Sequence, residues 1–139
     1  MPKSLSHVVV FTDDLDAVVR FLTDVAKVPA VDPYEVAAED VHTLFGWPLE
    51  LGAARGAFVG EGPGAIDVLE IPAALRDTVA PGVRLLAVVN RDAAAAGDAA
   101  SAAGYGVRGP FHTTAATGQP MSLVEVVAGG VPFELVQFG

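Results

Sequence analysis

Cysteine is absent from the 139 residues, which excludes disulfide cross-links, thiolate nucleophiles and cysteine-held zinc or iron–sulfur centres. Any metal must be held by His, carboxylate or carbonyl oxygen. Basic residues are also scarce: eight Lys and Arg, spread singly, stand against 17 Asp and Glu, for a net charge of −9. Without a concentrated basic face nucleic acid is not an expected partner, and the acidity serves solubility. Apolar runs end after a handful of residues at a charge, Gly or Pro, too short to span a bilayer. No basic-then-apolar leader is seen, so a cytoplasmic location with no membrane partner is expected. Serine is rare and lies in no nucleophile elbow, which removes a specific Ser/His/Asp triad.

What is present is a 52% hydrophobic chain, enough for one compact domain. Residues 5–12 are rich in Val and Phe and read as a buried strand. Asp13 and Asp14 supply a helix cap, and Leu15, Val18, Val19, Leu22, Val25 and Ala26 follow at helical spacing, to an end expected near Pro29. A strand over Asp32–Ala37 and a short helical turn over Glu39–Phe45 come next. Strands Ala54–Gly60 and Gly64–Ile71 flank a Gly-rich turn. That turn is no phosphate cradle, because such loops join a strand to a helix. After a Pro-bounded connection to Gly82, Val83–Asn90 reads as a strand, Asp92 as a cap, and Ala93–Ala103 as an alanine-rich helix able to lie close to its sheet. Tyr105–Thr113 is the next strand, Thr114–Pro120 a loop, and Met121–Val127 pairs with Val131–Phe138 across Gly129-Gly130. Strand, helix and three strands are thus written twice.

The two halves align at both ends. His7-Val8-Val9-Val10-Phe11 with its capping Asp14 matches Leu85-Leu86-Ala87-Val88-Val89 with Asp92, and Ile66-Asp67-Val68-Leu69-Glu70 matches Phe133-Glu134-Leu135-Val136-Gln137. This duplicated plan resembles the vicinal oxygen chelate superfamily, which includes glyoxalase I, methylmalonyl-CoA epimerase, extradiol dioxygenases and bleomycin-resistance binding proteins. The resemblance implies an α+β fold of two tandem βαβββ modules, residues 1–72 and 83–139 about a 73–82 linker. Their curved mixed sheets would make an open barrel-like cavity, and the assembly would be a homodimer.

Metal-dependent members of that family typically draw ligands from the first and last strands of each module. By position these are His7, Asp67, Leu85 and Glu134, of which Leu85 cannot ligate. Strand alternation separately sets His7 with Val9 and Phe11, Asp67 with Ala65 and Leu69, and Glu134 with Pro132 and Val136, polar groups on apolar faces. A buried carboxylate must be paired, hydrogen-bonded or bound to a cation, and a divalent ion would relieve two at once. Oxygen-rich ligation with one imidazole favours Mn, Fe, Co, Ni or Mg over a structural Zn site. Each residue taken singly also suits an ordinary role, the histidine in a core hydrogen bond and the acids at solvated strand ends.

Phe11, Trp47, Phe58, Leu85 and His112 are candidate ligand-contact residues, with a surface or loop position the preferred reading of His112. His42 reads as a partly exposed side chain, Glu70 and Gln137 as outer-face residues, and Glu125 as a further possible inward acid. Two functions fit. One is a metal-dependent lyase or isomerase in which His7, Asp67 and Glu134 hold the ion, and Glu134 or Asp67 moves a proton beside a stabilised enolate on a small oxygenated substrate. The other, favoured by Leu85, is a metal-free protein that sequesters a small molecule. A third variant keeps the chemistry without metal, using a carboxylate of raised pKa as general base.

Overall fold

Asp14 and Asp92 build the same local structure twice. Each carboxylate accepts the N–H three residues on, from Ala17 and Ala95 at 3.0 Å, which satisfies an otherwise unpaired donor and starts a helix. One step earlier Thr12 Oγ1 accepts from Asp14 N at 3.0 Å and Asn90 Oδ1 accepts from Asp92 N at 2.9 Å, so the turn entering each cap is also repeated.

The computed structural model describes residues 5–115 and 118–139. Its elements are β1 (Leu5–Thr12), α1 (Leu15–Arg20), β2 (Val31–Val36), α2 (Ala38–Phe45), β3 (Ala54–Val59), β4 (Ala65–Glu70), β5 (Gly82–Val89), α3 (Ala93–Ala102), β6 (Gly106–Thr114), β7 (Pro120–Ala128) and β8 (Val131–Phe138). The fold is α+β, with strand, helix and three strands in each half and α2 added to the first. Residues 116 and 117 of the expected Thr114–Pro120 loop lie outside the described residues.

The chain divides into two compact units, Val8–Arg84 and a second formed by Leu85–Gly139 with the start of the chain through His7. The first orders its strands β2-β3-β4-β1 and the second β6-β7-β8-β5, which is the same order in repeat terms. In each unit the closing strand reaches the helix start. Glu70 Oε2 accepts from Leu15 N at 3.0 Å, and Gln137 Oε1 accepts from Ala93 N at 2.9 Å. The two outer-face residues of the sequence are therefore side-chain caps supplied from across the sheet.

The first helix departs from its expected course. After Arg20 it widens into a π turn over Phe21–Val25, closed by Ala26 N to Phe21 O at 3.0 Å, and does not continue to Pro29. Thr23 gives the reason: its hydroxyl donates to the Val19 carbonyl at 2.9 Å, a back-bond that loosens the helical ladder. In β6 one extra residue between Arg108 and Phe111 makes a bulge opposite Glu125 and Leu123.

Helices α1 and α3 each bury one stripe. Leu15 packs with Ala57, Val59 and Val68, with Val18, Val19, Leu22 and Ile66 around them; Ala93 packs with Val124 and Val126, with Ala100, Val107 and Leu135 beside them. The alanine-rich α3 does lie close: a Cβ on Gly97 would fall 2.9 Å from Val124 Cγ1. Gly97→Leu should therefore overpack this contact, costing about 1–3 kcal/mol and lowering the urea midpoint, with partial recovery when Val124→Ala is added. An unchanged midpoint in the single variant would contradict this packing.

Candidate active site

On β4, Asp67 stands directly opposite Phe58 of β3, and on β2 Tyr34 stands opposite Gly56 of the same β3 strand. Strand alternation puts Asp67, Phe58, Gly56 and Tyr34 on the face away from α1. Gly56 lets the tyrosine ring cross that face, because a Cβ there would fall 2.7 Å from Tyr34 Cζ. The Tyr34 ring leans on Phe58, with centroids 5.6 Å apart, and its hydroxyl donates to Asp67 Oδ1. Burial disfavours the charged carboxylate and pushes the Asp67 pKa up from 3.8 to about 7, against the lowering effect of the tyrosine hydrogen bond.

In the other unit, β7 and β8 set Glu125 opposite Glu134, and β6 sets Arg108 opposite Glu125. Two buried acids facing each other would repel, and each has a different polar neighbour. Arg108 Nη1 donates to Glu125 Oε2 at 3.1 Å while the guanidinium lies over the Phe111 ring at 5.4 Å. His7 Nε2 comes within 4.0 Å of Glu134 Oε1, and its Nδ1 meets the Ser6 hydroxyl at 3.0 Å. Burial lowers the His7 pKa from 6.5 to about 4, so at neutral pH the imidazole is uncharged and the contact is polar, not a salt bridge.

The structure thus brings His7 and Glu134 together and holds Asp67 with Tyr34 in the other unit. Leu85 is buried, 2% exposed, in the strand that repeats β1. Phe11 and Trp47 are buried and form a cluster with Phe45, with ring centroids 5.2–5.3 Å apart. His42 closes the end of α2 by bonding Trp47 O at 2.9 Å. His112 is exposed on β6 and its Nδ1 meets the Ser122 hydroxyl at 3.0 Å. Tyr34 and Arg108 carry no signal of their own in the sequence, since only the strand register sets them beside Asp67 and Glu125.

The family model described as the Glyoxalase/Bleomycin resistance protein/Dioxygenase superfamily matches residues 4–121. The chain belongs to that superfamily. Solved structures share the fold of this glyoxalase-superfamily chain at low identity. Methylmalonyl-CoA epimerase from Mycobacterium tuberculosis is 20% identical with a TM-score of 0.68, over 96% of this chain and 87% of that one. A Streptomyces coelicolor methylmalonyl-CoA epimerase variant in complex with 2-nitronate-propionyl-CoA is 18% identical with a TM-score of 0.67, over 99% and 98%. A hypothetical protein from Bacillus halodurans C-125 is 15% identical with a TM-score of 0.70, over 96% and 92%. No curated protein matches the sequence.

Many glyoxalase-superfamily proteins bind a divalent ion, and the donors here can be tested for one. Among the described residues no three His, Asp or Glu side chains are grouped to hold a metal. His7 and Glu134 supply two donors, Leu85 at the position repeating His7 supplies none, and Asp67 Oδ1 is engaged by Tyr34. This set falls short of the three or more protein ligands of a catalytic centre such as zinc's. Among the described residues no helix is long and apolar enough to cross a membrane.

The two shifted groups load stability with pH in opposite directions. Between about 3.8 and 7 the folded chain keeps a proton on Asp67 that the unfolded chain has lost, so that contribution disappears as pH rises through 7. His7 resists protonation when folded, so its penalty grows as pH falls from 6.5 towards about 4. Asp67→Asn is expected to raise stability at pH 8 by on the order of a few kcal/mol and to leave a monotonic rise between pH 4 and 6.5. Urea unfolding across this range checks it; a variant less stable than the parent at pH 8 would contradict the desolvated carboxyl.

Proposed function

We propose that this chain is an isomerase-type enzyme that moves a proton on carbon beside a carbonyl in a small oxygenated substrate, with Asp67 as the acid–base residue. The observation that supports this is a partly buried carboxyl, bonded by Tyr34, whose pKa of about 7 suits it to take and return a proton at neutral pH. Because Tyr34 occupies Oδ1, the proton is carried at Oδ2. Tyr34 also fixes the rotamer of the base, Gly56 admits the tyrosine, and Phe58 supports its ring. The structural neighbours bound to methylmalonyl-CoA and 2-nitronate-propionyl-CoA suggest the substrate class, an acyl thioester with an acidic C–H next to its carbonyl. The assembly proposed is a cytoplasmic homodimer.

Solvent-deuterium exchange into a panel of acyl-CoA esters, methylmalonyl-CoA among them, provides the test. Exchange should follow a pH profile rising through about 7. It should fall roughly 10²–10⁴-fold in Asp67→Asn and less in Gly56→Ala, which displaces Tyr34 but keeps the base. Two results would overturn the reading. Stoichiometric metal that supports exchange and is lost in both His7→Ala and Glu134→Gln would make the enzyme metal-dependent. A tightly bound small molecule with no exchange in any ester would make the chain a sequestering protein.

A further inference from the structure

The two repeats differ beneath their helices. Aligned on Asp14 and Asp92, the sheet-facing residues Leu15, Val18 and Val19 of α1 and Leu22 of the π turn correspond to Ala93, Ala96, Gly97 and Ala100 of α3. With small residues, α3 settles against β6, β7 and β8; with large ones, α1 packs chiefly on β3 and β4 and leaves edge strand β2 without comparable cover. A recess of about 540 Å³ opens there, within the usual size of small-molecule sites. Its apolar walls are Leu15, Val19, Val31, Pro33 and Ala57, on the sheet face opposite Asp67.

Charge at the rim defines the occupant. Arg55 is held by Asp16 at 3.3 Å and Glu70 at 3.4 Å. Arg20 also lines the recess, and among the described residues nothing pairs with its guanidinium. Glu35 on the same rim disfavours a second negative charge on a ligand. We propose that this recess binds a small amphipathic monocarboxylate, its apolar body over Val19, Val31, Pro33 and Ala57 and its carboxylate on Arg20. Tyr34 and Gly56 border both this recess and Asp67, but the proposal does not rest on the Asp67 chemistry.

Octanoate is the probe, with 1-octanol as its uncharged counterpart, followed by amide NMR shifts in the full chain. Saturable shifts are expected around Val19, Arg20, Val31 and Ala57, with octanoate bound about tenfold more tightly than octanol. Arg20→Gln should remove that difference while leaving octanol binding unchanged, and Val31→Asp should weaken both. Arg20 is exposed, so its variant is not expected to unfold. Shifts that do not saturate, equal binding of the two probes, or octanoate binding unaltered in Arg20→Gln would overturn the proposal. Because no turnover is read, its failure leaves the acid–base role of Asp67 untouched.

Discussion

The bond from the closing strand to the helix start is the constraint on which each unit depends. Glu70 and Gln137 satisfy the backbone donors of Leu15 and Ala93, so the last strand of each repeat is pinned to the first turn of its helix. Strand alternation then decides the rest. Asp67 and Glu134 stand three residues earlier, an odd step, and are turned to the opposite face. Slippage of either strand by one residue would break the cap and bring an acid under the helix, where Val68 or Leu135 now packs. Register and the placement of the polar groups are therefore one choice.

The acids so placed are accommodated differently. Asp67 meets a neutral hydroxyl and keeps its proton up to about pH 7, which lowers the cost of its desolvation. Glu125 is matched by a guanidinium whose flat face also covers an aromatic ring. Glu134 lies beside an imidazole that burial holds neutral. Where the repeat of His7 would stand, Leu85 is a buried aliphatic side chain instead. A duplicated scaffold has thus given one unit a protonatable carboxyl under a tyrosine and the other a row of acids with individual neighbours.

The repeat was readable because its marks are local. An Asp cap before helical spacing and a Gly pair between apolar runs survive without tertiary knowledge, and they located α1, α3 and the β7–β8 hairpin within a residue or two at most ends. The end of α1 was not readable, since the Thr23 back-bond competes with a pattern that itself continues. At the site, strand phase set His7, Asp67 and Glu134 on apolar faces, but no phase shows which strands become neighbours. Tyr34 reaches Asp67 only through β3, by a register involving a glycine that lacks any motif. Arg108 reaches Glu125 just before a bulge, where simple alternation in β6 fails.

The division of the chain has a consequence for how the molecule is made. Val8–Arg84 is contiguous, so every partner in that unit is available once a single stretch has left the ribosome. The other unit joins His7 to Glu134, residues far apart in sequence, and must wait until translation is nearly finished. During that interval an early-made histidine has no acid to meet. The contact between His7 and Glu134 therefore forms only after nearly the whole chain has been made.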